Sequence, residues 1–102
     1  MRVAFLDRDG LINEDTGYLY KWEDFEYKTL VKSALLKLRK SGFQLIVVTN
    51  QSGISRGFYS ERDFEMLTLI MKKDLEKSGI SLLDVFYCPH HVEGKVQKFA
   101  FA

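Results

Sequence analysis

Cysteine is almost missing from this chain: one in 102 residues. That excludes an internal disulfide framework and fits a reducing compartment, so the cytoplasm is the expected location. Excess charge is missing too. Fifteen basic against fourteen acidic residues leave a net charge of +1 with no basic block. Nothing therefore points to nucleic acid or an anionic membrane as the main partner. No apolar run reaches membrane-spanning length, and Met1-Arg2 runs straight into apolar sequence, which leaves no room for a signal peptide. There is no internal repeat and no low-complexity segment. What remains, 46% hydrophobic and 28% charged residues, is the composition of an ordinary globular domain or a piece of one.

The informative stretch comes first. Val3-Ala4-Phe5-Leu6 reads as a buried parallel strand, and Gly10 as the turn after Asp7-Arg8-Asp9. Strand alternation sends Asp7 and Asp9 to one side and Arg8 to the other. Two converging carboxylates raise each other's pKa. A Mg²⁺ ion, which prefers oxygen ligands and retains phosphate oxygens, would relieve that cost. Open α/β sheets bind ligands at the carboxyl ends of their strands. The expectation is a metal-assisted phosphate site.

Residues 11–27 form a long polar and aromatic connection with Tyr18, Tyr20, Trp22, Phe25 and Tyr27. Connections of this length are functional or pack as a small unit. The rings read most simply as a satellite hydrophobic cluster. Asp15-Thr16-Gly17-Tyr18, close behind the acidic pair, is placed to reach a substrate. Thr29 to Ser41 reads as a helix with Leu30, Val31, Ala34, Leu35 and Leu38 on one face and its basic residues solvated, ending at Gly42. Gln44 to Thr49 is a second strand, apolar enough to be covered on both faces. Strand, helix and strand make a right-handed βαβ unit, which brings Thr49 and Asn50, at the start of Thr49-Asn50-Gln51-Ser52-Gly53, beside Asp7 and Asp9. Their hydroxyl, amide and backbone N–H groups suit phosphate oxygens, although alone they are an ordinary polar turn.

Arg56, in the loop that follows, reads equally as a phosphate contact or a surface charge. Ser60 caps a helix whose apolar stripe is Phe64, Leu67, Ile70, Met71 and Leu75 and which closes at Gly79. Met66 and Met71 read as core filler. Asp84 to Tyr87 is a third strand. Cys88 and His90 read either as half of a zinc site or as a buried thiol and a loop histidine. A closed structural zinc site needs four ligands, and the chain has no second cysteine.

Asp7-Arg8-Asp9-Gly10 and Val47-Val48-Thr49-Asn50-Gln51-Ser52-Gly53, separated by a βαβ unit, together with Tyr87-Cys88-Pro89-His90-His91, resemble the haloacid dehalogenase superfamily. Within it they are similar to the small phosphatases that act on heptose bisphosphate and histidinol phosphate. The resemblance covers almost the whole chain. It implies an α/β fold of the three-layer, Rossmann-like type, with only the first three strands and their helices present.

It also implies a Mg²⁺-dependent phosphatase acting on a sugar phosphate, D-glycero-D-manno-heptose 1,7-bisphosphate at its 7-phosphate, with histidinol phosphate as the alternative substrate. Asp7 would be the nucleophile, and Asp9 the acid and base. Both would serve the metal, Asp9 through its backbone carbonyl. Thr49 and Asn50 would hold the phosphoryl oxygens, with Gln51 and Ser52 alongside in the substrate site, and Asp15 to Tyr18 (Asp15, Thr16, Gly17, Tyr18) would line the sugar side. Leu11 departs from the family's usual threonine. A Cys-x-Cys pair completing the zinc site, an Arg-Lys segment and an acidic metal motif would lie beyond Ala102. The chain is thus expected to be the N-terminal part of a single phosphatase domain, or a catalytically silent phosphate-binding fragment. Its first strand, central in the family's sheet, becomes an open edge that invites self-association.

Overall fold

The computed structural model describes residues 2–88. Three parallel strands, β1 (Arg2–Leu6), β2 (Phe43–Asn50) and β3 (Asp84–Cys88), lie in the order β1-β2-β3. Helix α1 (Val31–Lys40) connects the first pair. A one-turn helix, α2 (Ser52–Ser55), and the long α3 (Glu61–Lys77) connect the second. The three expected strands and both long helices are present, and β1 forms an edge as the sequence implied. The short α2 falls where the sequence read as a glycine-containing loop.

Register explains the core. Ala4 pairs with Leu45, and Leu6 with Val47, which in turn pairs with Val85. These side chains share one face and pack with Val31 and Leu35 of α1 and Met71 and Leu75 of α3. Each fully buried aliphatic side chain contributes on the order of 1.5–3 kcal/mol. Both helices cover the same face because the strands step in one direction through crossovers of one hand.

The opposite face is bare. Phe5 is 69% exposed, Phe86 53% and Val48 47%. The expectation that β2 is covered on both faces therefore fails for the described residues. Leu45, Val47 and Thr49 are buried, while Val48 between them faces outward.

Helix α3 begins as its sequence dictates. Ser60 Oγ accepts from the Asp63 N–H at 3.0 Å, and Asp63 Oδ2 accepts from the Ser60 N–H at 2.9 Å, a reciprocal cap. Phe64, Leu67, Met71 and Leu75 are buried as the stripe required, but Met66 lies on the exposed side and fills no core. Helix α1 starts two residues later than expected. Leu30 is in the left-handed region (φ 68°) and 78% exposed, so it precedes the helix. Ala34 is also exposed, and Leu36 packs against the core in its place. Arg39 does more than face solvent, since its Nη1 donates to the Phe43 carbonyl at 2.8 Å.

The aromatic connection divides in two. Trp22, Phe25 and Tyr27 pack on one another at centroid distances of 4.9–6.2 Å and join the main core. Tyr20 stacks on Tyr59 in a second, smaller cluster with Ile54 and Phe64, and Tyr18 tilts against Phe58.

Candidate active site

Strand β1 stops at Leu6, and a tight turn follows. The Arg8 carbonyl accepts from the N–H groups of Leu11, Ile12 and Asn13 at 3.2, 2.8 and 3.2 Å. Gly10, at φ 87°, supplies the left-handed residue this turn needs. The turn sends Ile12 into the core and returns Asn13 alongside Asp9. Strand β2 runs parallel to β1 and ends at Asn50, and α2 begins two residues later.

Between these strand ends lies an open polar cavity of about 420 Å³. It is lined by Asp7, Asp9, Asp15, Gly17, Tyr18, Asn50, Ser52, Gly53 and Tyr59. Seven of these were singled out from sequence: Asp7, Asp9, Asp15, Gly17, Tyr18, Asn50 and Ser52. Thr16 lines a neighbouring cavity of about 450 Å³ with Leu19, Tyr20 and Asp24. Thr49 and Gln51 are buried behind the cavity, at 2% and 1% exposure. Gln51 Nε2 donates to Thr49 Oγ1 at 2.9 Å, so the Thr49 hydroxyl proton remains available to another acceptor.

The Arg8 side chain does not point away from the acidic pair. It is 1% exposed, and its Nε and Nη2 donate to Asp9 Oδ1 at 3.1 and 2.8 Å. The alternation that placed it opposite holds only inside a strand, and β1 has already ended. Asn13 Nδ2 also donates to Asp9 Oδ1, at 3.0 Å, and Gln51 Nε2 donates to Oδ2 at 3.3 Å. The Arg56 guanidinium stands over the Tyr18 ring, 5.8 Å from its centre.

Tyr59 had no place in the sequence reading. Its hydroxyl donates to Gln51 Oε1. Burial pushes the phenol up to about 12, with Arg8 opposing and Asp9 and Tyr18 adding to the rise, so it stays a donor at neutral pH. The only sequence signal for it is Gly53. A Cβ there would sit 2.3 Å from Tyr59 Cε1 and 2.9 Å from Tyr18 Cδ1, so glycine is required for the rings to close on this turn.

The donor set discriminates between metals. Asp7 offers an exposed carboxylate to the cavity, whereas the Asp9 carboxylate is taken up by Arg8, Asn13 and Gln51. Among the described residues no group of three or more His, Cys, Asp or Glu side chains gathers to hold an ion. Mg²⁺ uses one or two carboxylates, keeps several waters and takes substrate phosphate oxygens, so Asp7 fits it. A closed zinc site is not formed by these residues. Cys88 is half-buried at the end of β3, paired in register with Asn50, and His90 lies outside the described residues.

No family model matches the chain. Among curated proteins it is 46% identical, over 98% of its length, to a D-glycero-alpha-D-manno-heptose-1,7-bisphosphate 7-phosphatase from Photorhabdus laumondii. It is 48% identical, over 95%, to a D-glycero-beta-D-manno-heptose-1,7-bisphosphate 7-phosphatase from Escherichia coli K12. It covers 55% and 51% of those two proteins, so the chain spans about half the length of the curated relatives it matches.

Among solved structures, a D,D-heptose 1,7-bisphosphate phosphatase from B. bronchiseptica, complexed with magnesium and phosphate, superposes with a TM-score of 0.83 at 26% identity. The match covers 91% of this chain and 52% of that one. A putative HAD-like phosphatase from Mesorhizobium loti gives the same TM-score at 32% identity, covering 91% and 44%. The resemblance carried by Asp7-Arg8-Asp9-Gly10 and Thr49-Asn50-Gln51-Ser52 is borne out: the chain is a homologue of the heptose-1,7-bisphosphate 7-phosphatases, with a haloacid-dehalogenase-like fold and about half their length.

Proposed function

We propose that this chain is the N-terminal part of a phosphatase domain and that its polar cavity hydrolyses a sugar phosphate, heptose 1,7-bisphosphate at the 7-position. One observation supports this above the others: Asp7 and Asp9 line a single cavity with Asn50 and Ser52, at the carboxyl ends of adjacent parallel strands. Asp7 attacks phosphorus. The new bond joins its carboxylate oxygen to phosphorus, and the ester oxygen leaves as the alcohol, taking a proton from Asp9. Asp9, now a carboxylate, then accepts a proton from water as that water hydrolyses the aspartyl phosphate, releasing inorganic phosphate and restoring the Asp7 carboxylate and the protonated Asp9.

Asn50, Ser52 and the Thr49 hydroxyl supply donors to the phosphoryl oxygens, and Asp15, Gly17 and Tyr18 face the sugar. Asp7 would hold magnesium, which would supply charge neutralisation between carboxylate and phosphate. A sugar-phosphate substrate and the single cysteine support a cytoplasmic reaction, and no described helix is long and apolar enough to cross a membrane.

Phosphate release from heptose 1,7-bisphosphate should require Mg²⁺, stop with EDTA and vanish in Asp7→Asn. Turnover that survives Asp7→Asn overturns the mechanism. Phosphate binding without turnover assigns the chain instead as a silent phosphate-binding module. Through the open β1 edge the chain self-associates. Light scattering that shows a clean monomer at high concentration refutes that part alone.

A further inference from the structure

The two oxygens of Asp9 are held very differently. Oδ1 accepts three hydrogen bonds, from Arg8 Nε, Arg8 Nη2 and Asn13 Nδ2, at 3.1, 2.8 and 3.0 Å. Among the described residues Oδ2 accepts a single long one, from Gln51 Nε2 at 3.3 Å. The three donor residues are each 1% exposed or less, while the Asp9 side chain keeps 23% exposure toward the cavity it lines. The anchoring groups are themselves anchored. Arg8 Nη2 also lies 3.5 Å from the Leu19 carbonyl, and its guanidinium sits 5.8 Å from the centre of the Phe64 ring. Asn13 Nδ2 donates to the Glu14 carbonyl at 3.0 Å. Gln51 is fixed from both ends, by Thr49 Oγ1 at 2.9 Å and by the Tyr59 hydroxyl.

We propose that Arg8, Asn13 and Gln51 are positioning residues that turn Asp9 so that Oδ2 alone carries the proton to the leaving alcohol. This rests on the reading of Asp9 as the acid. A carboxylate free to rotate about its last bond presents either oxygen in many directions, and proton transfer needs a heavy-atom approach of about 2.6–3.2 Å. Three donors on Oδ1, two of them charge-assisted, stop that rotation. They also use up the lone pairs of Oδ1, so Oδ2 is the oxygen with spare capacity for a proton.

A purely stabilising role explains the cluster less well. Burying a guanidinium is costly, and Arg8 Nη1 and Asn13 Oδ1 find no hydrogen-bond partner among the described residues. A cluster with two orphaned groups gives up stability for orientation.

Two substrates separate orientation from folding. The alcohol leaving from heptose 1,7-bisphosphate needs a proton, whereas the nitrophenolate leaving from p-nitrophenyl phosphate does not. Comparing kcat/KM isolates phosphoryl transfer to Asp7 from the later hydrolysis that both substrates share. In Arg8→Met, kcat/KM should fall about 30–100-fold for the sugar phosphate and less than about 3-fold for the aryl ester, within the range of a general acid's contribution. Arg8→Lys, with one donor restored, should lie between. Gln51→Met should show the same selectivity more weakly, and it decides the matter if Arg8→Met does not fold.

Equal losses with both substrates in a folded variant overturn the positioning role and leave the Asp7 mechanism standing. Absence of Asp7-dependent turnover with either substrate in the unaltered chain overturns the proposed function, and this inference with it.

Discussion

Two aspartates in this molecule each hold a cation and further polar partners, yet they do different work. Asp74, on α3, accepts from the Tyr27 hydroxyl at 2.7 Å and from Lys32 Nζ at 3.1 Å. Its ion pair is open to solvent on both sides, at 38% and 30% exposure. Asp9 pairs with an arginine that is 1% exposed. Water screens the first pair and makes it nearly dispensable. In the second, loss of the carboxylate would strand the guanidinium in a dry place, and loss of the guanidinium would leave a largely buried carboxylate without its cation. Asp74 ties α3 to the aromatic connection at the surface. Asp9 is held where a cavity opens, and immobility there is useful to chemistry.

Breaking the buried pair gives the largest expected effect on stability. Arg8→Met should cost about 3–5 kcal/mol in urea unfolding, because it leaves Asp9 half-buried without its cation. Removing the surface cation, Lys32→Met, should change stability by less than about 1 kcal/mol. Equal costs would erase the distinction between the two sites.

An intermediate effect sits at Tyr27. Burial, reinforced by its bond to Asp74, pushes its phenol far above the ordinary tyrosine range. Tyr27→Phe should lose roughly 1 kcal/mol, the usual net worth of one hydrogen bond.

The smallest effects are differences in pH response, and they have opposite signs at the two sites. Tyr59 loses its proton near 10.0 when unfolded and near 12 when folded. Its contribution is intact below pH 10 and is lost as pH rises from 10 toward 12. Tyr87, which donates to Glu61 and is also pushed up to about 12, adds to the same decline. Tyr59→Phe should therefore flatten the alkaline limb of a stability–pH curve without removing it.

Asp74 moves the other way. Its bond from Tyr27, opposed by partial burial and aided by Lys32, lowers its pKa below the usual 3.8. Its contribution is present above that value and is lost as pH falls through the depressed pKa. Asp74→Asn should make the acid limb slightly shallower. An unchanged curve would show the surface cluster to be energetically silent.

The sheet, its order along the chain and most of the cavity were readable in advance, because they depend on short-range rules. Val3 to Leu6 and Gln44 to Thr49 are apolar runs bounded by turn residues, and Ser60-Glu61-Arg62-Asp63 is a cap before a periodic stripe. The hand of the crossover then brings two strand ends together. What escaped the sequence depends on where one rule gives way to another. Arg8 was misplaced because strand alternation was extended two residues past the last ladder pair. The bare face was missed because an apolar strand says nothing about how many sides are covered. Here both helices were committed to one side by the stepping direction. Leu30 was assigned by period alone, and only its left-handed backbone shows that the helix has not yet begun. Tyr59 reaches the site through a turn of packed aromatics, a tertiary fact with no local signature.

Gly53 carries a final consequence. The clearance between the β2–α2 turn and the two tyrosine rings is smaller than a methyl group. The span of the opening is thus fixed by a hydrogen atom standing where other residues carry carbon. Alanine at that position would wedge Tyr59 off its glutamine or drive Tyr18 outward. A single methyl group would in this way exchange a tight, well-aimed mouth for a wider and less discriminating one.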